Sequence, residues 1–382
     1  MKVLHVIDAL GVGGGAEHSL AVMAPLLRER GVESTFACLL PREQGLQFTL
    51  REQGFDIEIL SPSTPVGRVR ALRRKIRTEA PDLVHATLYN ASLVARLASV
   101  RTGVPLVNSL VNTSYDPVRV SDLKIPKWKL DVVRTVDSVT ARHLVDRFHA
   151  ITQSVANEAV DVLGVDPRLV TVIPRGRSRS ALGEPDVERR RRTRAALGLA
   201  DDTPVFLNVG RQDHQKGQAD LIRAFAAVRR TVPDAVLLIA GRPGDASAGV
   251  EEALRDTSAG ESVRLLGHRT DVFDLYVACD VFAFPSFYEG LGCSLIEALG
   301  LGIPIIGSDA DAVAEVLDHG RLGEVVHRGD VSALAAAMTE LITSPERRAE
   351  LARRGLDQFA AQFELDRVVD SMVDLYREAL RG

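Results

Sequence analysis

The 382-residue chain reads as an α/β protein of two doubly wound domains facing each other across a cleft. Two observations predict this. Short apolar, β-branched runs alternate with amphipathic stretches over nearly the whole length, the pattern of parallel sheets covered by helices. The alternation breaks once, at residues 174–192, and then begins afresh. At this length two cores rather than one are expected.

In the first half, strands are predicted at 2–8, 34–40, 56–60, 82–85 and 105–111, with last strands at 150–153 and 170–174. Helices fall at 16–30, 65–80, 89–101 and 154–163, and residues 121–149 form a mostly helical insertion. The first strand runs into Gly11, Gly13, Gly14 and Gly15. A glycine-rich turn entering a helix lets a ligand approach closely, and the helix amides favour an anion. A tight turn alone would also explain the glycines. The spacing is not the dinucleotide fingerprint. Residues 174–192, PRGRSRSALGEPDVERRRR, lack apolar periodicity and read as a linker plus a solvated helix start.

The second half predicts strands at 204–209, 235–240, 263–266, 281–284, 303–307 and 323–326. Helices are predicted at 217–231, 250–256, 271–279, 291–299 and 330–344, followed by two more at 345–362 and 365–380. Residues 281–309 carry Glu289 and Glu297, eight positions apart. If both were helical they would lie about 12 Å apart along the axis and within about 80° around it. That suits a long ligand held at two points. Glu297, among apolar neighbours, needs a hydrogen-bonding partner, either a ribose diol or an ion pair. Gly210-Arg211 and Lys216-Gly217 follow another strand, and two cations near a helix start suit a diphosphate. Lys216 is conspicuous because only six of the 47 basic residues are lysines. Gly267, after a further strand, could offer backbone groups to a base. Asp309 and Asp311 have a metal-binding spacing but read better as a helix cap.

Composition narrows the class. A hydrophobic fraction of 46% and a net charge of -4 describe an ordinary globular chain and argue against a general nucleic-acid binder. Cys38, Cys279 and Cys293 form no disulfide framework or zinc pattern, which fits a reducing cytoplasm. No cleavable leader and no run of about 18 apolar residues is present.

Taken together, Gly13-Gly14-Gly15-Ala16-Glu17, Val209-Gly210-Arg211 with Lys216-Gly217, Phe284-Pro285-Ser286 to Glu289 with Glu297, and the glycines of 315–330 resemble the retaining GT-B glycosyltransferases of family 4. The resemblance covers nearly the whole chain. It implies two Rossmann-like domains. Residues 1–173 would bind the acceptor, with a C-terminal helix at 364–382 packing back on them, and residues 174–363 would bind the donor. It implies that Arg211 and Lys216 hold the donor diphosphate, that Glu297 holds the ribose, and that Glu289 with the amides of Gly290, Leu291 and Gly292 contacts the sugar. Gly13 to Gly15 would approach the phosphates. Arg211, Lys216 and Glu289 are then the catalytic candidates, with no metal or other cofactor needed.

The chain departs from the family twice. Val111 or Asn112 stands where many members carry a His, and the linker reads Pro174-Arg175-Gly176-Arg177-Ser178 where relatives often have PNGVD. Asn112 and His85 are the acceptor-side candidates. The expected partners are a UDP- or GDP-sugar and a hydroxyl acceptor on a glycan, a lipid or a small molecule. Arg68, Arg70, Arg73, Arg74, Lys75 and Arg77, with Lys124, Lys127 and Lys129 around Trp128, suggest peripheral contact with an anionic membrane at its inner face. Solvated helix faces explain the same charges. The competing function is a sugar-nucleotide-binding scaffold that has lost catalysis.

Overall fold

The computed structural model describes residues 1–11, 14–122, 125–257 and 259–381. The chain divides into two units: residues 1–115, 123–176 and 365–382, and residues 116–122 and 177–364.

The first unit has seven parallel strands: β1 (Lys2–Ile7), β2 (Glu33–Cys38), β3 (Asp56–Ile59), β4 (Leu83–Thr87), β5 (Leu106–Leu110), β6 (Arg147–Ala150) and β7 (Val170–Val172). They lie in the order β3-β2-β1-β4-β5-β6-β7. Order reverses between β1 and β4, so the ends of those two strands form the crevice where open α/β sheets take ligands. Both faces are covered. One cluster joins Ile7, Leu20, Leu27 and Phe36 to Val369, Met372 and Tyr376; the other joins Leu4, Leu72, Val84, Ala95 and Phe148. The last helix, Leu365–Arg381, supplies eight buried side chains to this unit.

The second unit has six parallel strands: β8 (Val205–Val209), β9 (Val236–Ala240), β10 (Val263–Gly267), β11 (Val281–Phe284), β12 (Ile305–Ser308) and β13 (Glu324–Val326). Their order is β10-β9-β8-β11-β12-β13, with the reversal between β8 and β11.

Four local readings are corrected by the structure. The strand expected at 150–153 lies earlier, at Arg147–Ala150, because Thr152 caps the helix Gln153–Asp161 with its hydroxyl. An unforeseen helix spans Leu46–Glu52. The helix after β11 starts at Cys293 rather than 291; Glu289 lies in the loop before it, so the helical projection of Glu289 onto Glu297 does not apply. The arginines after the linker are a solvated face only in part: Arg191 and Arg192 are exposed, but Arg189 and Arg190 are half-buried. They belong to the helix Val187–Ala196, where Arg189 pairs with Asp274 at 2.6 Å and Arg190 with Asp280 at 2.5 Å. Arg194 is buried and caps the Ala278 carbonyl at 2.7 Å.

A polar row crosses the middle of the first sheet. Tyr376 Oη lies 2.7 Å from His85 Nδ1, His85 Nε2 2.7 Å from Ser109 Oγ, Ser109 Oγ 2.7 Å from His149 Nδ1, and His149 Nε2 2.8 Å from the Ile173 carbonyl. A carbonyl only accepts, so His149 carries its proton on Nε2 and accepts from Ser109 at Nδ1. Ser109 then accepts from His85 Nε2, and His85 Nδ1 accepts from Tyr376. The row is complete with both imidazoles neutral, and it ties the last helix to the sheet.

Candidate active site

At the switch point of the second sheet, β8 leads into Gly210-Arg211 and β11 into Pro285–Glu289. Gly217 has φ +62°, and a Cβ there would overlap the Pro285 carbonyl oxygen. Only glycine allows this approach. It brings the loop after β8 onto the loop after β11, and Lys216 Nζ reaches Glu289 Oε1 at 2.5 Å. The Lys216 ammonium also lies 5.1 Å from the centre of the Phe284 ring. Both partners are largely enclosed, at 16% and 8% side-chain exposure. Arg211 is open at 68% and pairs with Asp213 at 2.5 Å. Of these two cations, Lys216 is therefore largely enclosed and Arg211 exposed.

Gly292 is left-handed at φ +79° and opens the helix Cys293–Gly300 without a capping side chain. Glu297, on that helix, has a protein partner that sequence reasoning did not assign. Arg177 Nε donates to Glu297 Oε1 at 2.8 Å, with exposures of 8% and 14%. The unusual linker sequence was the available signal. Gly267 ends β10 with φ +64° and accepts from the Gly241 amide at 2.8 Å.

In the first unit, Gly13 lies outside the described residues. Gly14 and Gly15 open the helix Gly15–Glu29. The Glu17 carboxyl folds back toward Gly11, and burial raises its pKa against the pull of Arg42. Asp8, at the end of β1, accepts from Asn90 Nδ2 at 2.9 Å and from the Ala91 amide at 2.7 Å. It joins the end of β1 to the start of the helix Tyr89–Ser99 that follows β4, another role not anticipated. Asn112 is exposed in the loop after β5. His85 is not open to an acceptor: it is buried, with both ring nitrogens engaged in the row described above.

The expected cationic patch also changes. Lys75 is buried and pairs with Glu58 at 3.1 Å, with Asp56 at 3.5 Å and with Glu79. Arg73 spends its guanidinium on the carbonyls of Ala98 at 3.1 Å and Leu97 at 2.5 Å. Arg70, Arg74 and Arg77 stay exposed. Lys124 lies outside the described residues. The neighbouring helix Lys127–Leu144 buries only Asp137 and Ala141. It is held by polar contacts: Asp137 pairs with Arg96 at 2.6 Å and accepts from Tyr115 Oη at 2.8 Å. Trp128, Val132, Val133, Val136 and Val139 face outward.

Asp309 accepts from the Arg328 amide at 2.9 Å and lies 2.5 Å from His327 Nδ1, while Asp311 begins a helix. Among the described residues, no three His, Cys, Asp or Glu side chains gather as a metal site, and no helix is long and apolar enough to cross a membrane.

Two family models match the chain. "Glycosyl transferase 4-like domain" covers residues 14–176 and "Glycosyl transferases group 1" covers residues 189–358. The chain is 28% identical to a D-inositol 3-phosphate glycosyltransferase of Stackebrandtia nassauensis, over 78% of this chain and 69% of the relative. It is also 28% identical to an alpha-maltose-1-phosphate synthase of Mycolicibacterium smegmatis, over 78% of this chain and 80% of that one. Among solved structures, Anabaena Alr3699/HepE in complex with UDP and glucose superposes with a TM-score of 0.83 at 22% identity, over 99% of this chain and all of that one. WaaG, a glycosyltransferase involved in lipopolysaccharide biosynthesis, does so with a TM-score of 0.77 at 15% identity, covering 98% and 99%.

Proposed function

The chain belongs to the GT-B glycosyltransferases of group 1, family 4, and on that footing we propose that it is a retaining enzyme that moves a sugar from a UDP- or GDP-sugar to a hydroxyl acceptor in glycan, glycolipid or glycoside synthesis. The observation that carries this reading is the meeting of Lys216 and Glu289 at the switch point, beside exposed Arg211. A diphosphate entering there competes with Glu289 for Lys216 and gains Arg211 as well. Glu289, released from the ammonium, then accepts from the sugar hydroxyls. The Anabaena neighbour, solved with UDP and glucose, is in keeping with such a donor.

The chemistry follows from charge flow. The bond from the anomeric carbon to the phosphate oxygen breaks, the sugar becomes oxocarbenium-like, and charge grows on the diphosphate. Cations fixed at that position bind the transition state more strongly than the ground state. The leaving phosphate takes the acceptor proton on the face it departs from, so configuration is retained. This scheme uses no protein nucleophile and no metal. The test is a donor-hydrolysis panel of UDP- and GDP-sugars, with the product anomer read by NMR. Lys216→Ala and Glu297→Ala should each lower turnover by about 10²-fold or more. An inverted product would end the retaining mechanism, and a chain that bound neither UDP nor GDP would end the donor reading.

We also propose a cytoplasmic protein that docks on an anionic membrane through the helix Lys127–Leu144. Its outward valines and Trp128 are flanked by exposed Lys127, Lys129, Arg134 and Arg142, the composition of an interfacial helix. A second copy is a poor occupant of this face. Eighteen residues make a strip about 27 Å long and about 10 Å wide, about a third of the ~800 Å² per partner of a stable interface. Two such strips would also oppose cation to cation. Cosedimentation with phosphatidylglycerol vesicles should succeed at low salt, weaken at high salt and be lost in Trp128→Glu. No binding at low salt, or a dimer that Trp128→Glu dissolves, would overturn the docking.

A further inference from the structure

Arg177, within the linker, is where the chain enters the main segment of the second unit, and its backbone is fixed there. Its amide donates to the Phe363 carbonyl at 2.9 Å, and it forms a parallel bridge with Glu364. From this fixed point its side chain is buried against the helix Cys293–Gly300 and gives Nε–H to Glu297 Oε1. The Cys293 sulfur lies beside the same guanidinium. On the other side of the carboxylate, the Tyr276 hydroxyl is 3.1 Å from the Ser294 carbonyl and 3.5 Å from Glu297 Oε2.

A buried ion pair does little for net stability compared with apolar side chains of the same size, because desolvation offsets the attraction. What it supplies here is direction. A carboxylate has about four lone-pair sites on two oxygens. Arg177 engages Oε1 from one side, and the position of Oε2 is thereby set. The guanidinium also balances the carboxylate's charge, which would otherwise repel a nearby diphosphate.

We propose that Arg177 is a positioning residue for the nucleoside. It holds Glu297 in the rotamer that accepts the ribose hydroxyls, so the pair distinguishes ribonucleoside from deoxyribonucleoside diphosphates. The inference rests on the donor reading above and deepens it.

The experiment is calorimetric titration of the full chain with UDP, 2′-deoxy-UDP, GDP and 2′-deoxy-GDP. Wild type should bind one ribonucleotide at least about tenfold more tightly than its deoxy counterpart, as expected for a lost charge-assisted hydrogen bond. Arg177→Met should weaken the ribonucleotide and leave the deoxy form nearly unchanged, bringing the ratio close to one. Arg177→Lys, which keeps the charge but not the fixed Nε donor, should give an intermediate ratio. A purely structural arginine would weaken both ligands together and preserve the ratio, and that result overturns the proposal. If Arg177→Met does not fold, an Arg177→Lys ratio equal to wild type overturns it in the same way. The other failures are separate. Wild type that binds neither ribonucleotide removes the donor reading. Wild type that binds without discriminating removes the ribose contact of Glu297, and the role of Arg177 with it.

Discussion

Lowering the pH from 8 to 5 should loosen the first unit through its buried histidines. Burial pushes the pKa of His5 down to about 3 and that of His149 down to about 4. Burial, with the neighbouring His5 and His149, pushes His85 well below its ordinary value. In the unfolded chain each titrates near 6.5. Between that value and the folded values, the unfolded chain binds protons that the folded chain refuses. Stability therefore falls as pH falls through this window and is fully present above it. Each histidine costs about 1.4 kcal/mol per pH unit, so at pH 5 His5 and His149 together cost about 4 kcal/mol, and His85 adds to this in the same direction. That is a large part of the ~5–15 kcal/mol that holds a typical domain. Urea unfolding followed by far-UV circular dichroism at pH 8, 6.5, 5.5 and 5 measures it. His5 stacks on Phe36 with ring centres 5.1 Å apart, so His5→Phe should remove about a third of the slope below pH 6.5. A wild-type stability that does not change between pH 6.5 and 5, or a slope unchanged in His5→Phe, would refute the reasoning.

Four further outcomes follow from contacts already described. Tyr376→Phe removes the hydroxyl that His85 accepts from and should cost about 1–2 kcal/mol in the same urea assay. Arg96→Met leaves the Asp137 carboxylate buried without its cation and should cost about 3–5 kcal/mol, read as a lower melting temperature. Lys216→Met should lower donor turnover by about 10²–10³ while the circular dichroism spectrum stays unchanged. Gly217→Ala forces apart the loops that bring Lys216 to Glu289, and should lower kcat by about 10²-fold with the overall fold kept.

The architecture was legible because parallel sheets buried on both faces announce themselves as apolar runs separated by helical periodicity. Every strand of the second sheet fell within about two residues of its expected place. The glycine-bearing loops were legible for a different reason: Gly217 and Gly292 occupy left-handed backbone that other residues avoid. What periodicity could not show was which charges are spent inside the protein. Lys75 and Arg194 look like surface cations in sequence, yet both are buried, Lys75 among Asp56, Glu58 and Glu79 and Arg194 against the Ala278 carbonyl. The helical projection of Glu289 onto Glu297 does not apply because Glu289 sits in the loop ahead of the helix, which left-handed Gly292 further delays to Cys293. The partnership of Arg177 with Glu297 spans 120 positions, and no local pattern encodes it. The histidine row was hidden similarly, since His85 and His149 lie on different strands and Tyr376 on the last helix.

The last helix has a consequence for how the protein is made. A ribosome releases residues 1–176 well before Val369, Met372 and Tyr376, side chains that complete the cover of one face of the first sheet. Until that helix emerges, the face is covered only in part, by Leu20 and Leu27 of the helix Gly15–Glu29, while nearly all of the second unit, residues 177–364, is already available to fold. The half of the chain that emerges first is therefore completed last. A premature stop just beyond Glu364 would leave the opening domain without the part of its core that the helix Leu365–Arg381 supplies, exposed to the association that befalls unfinished sheets.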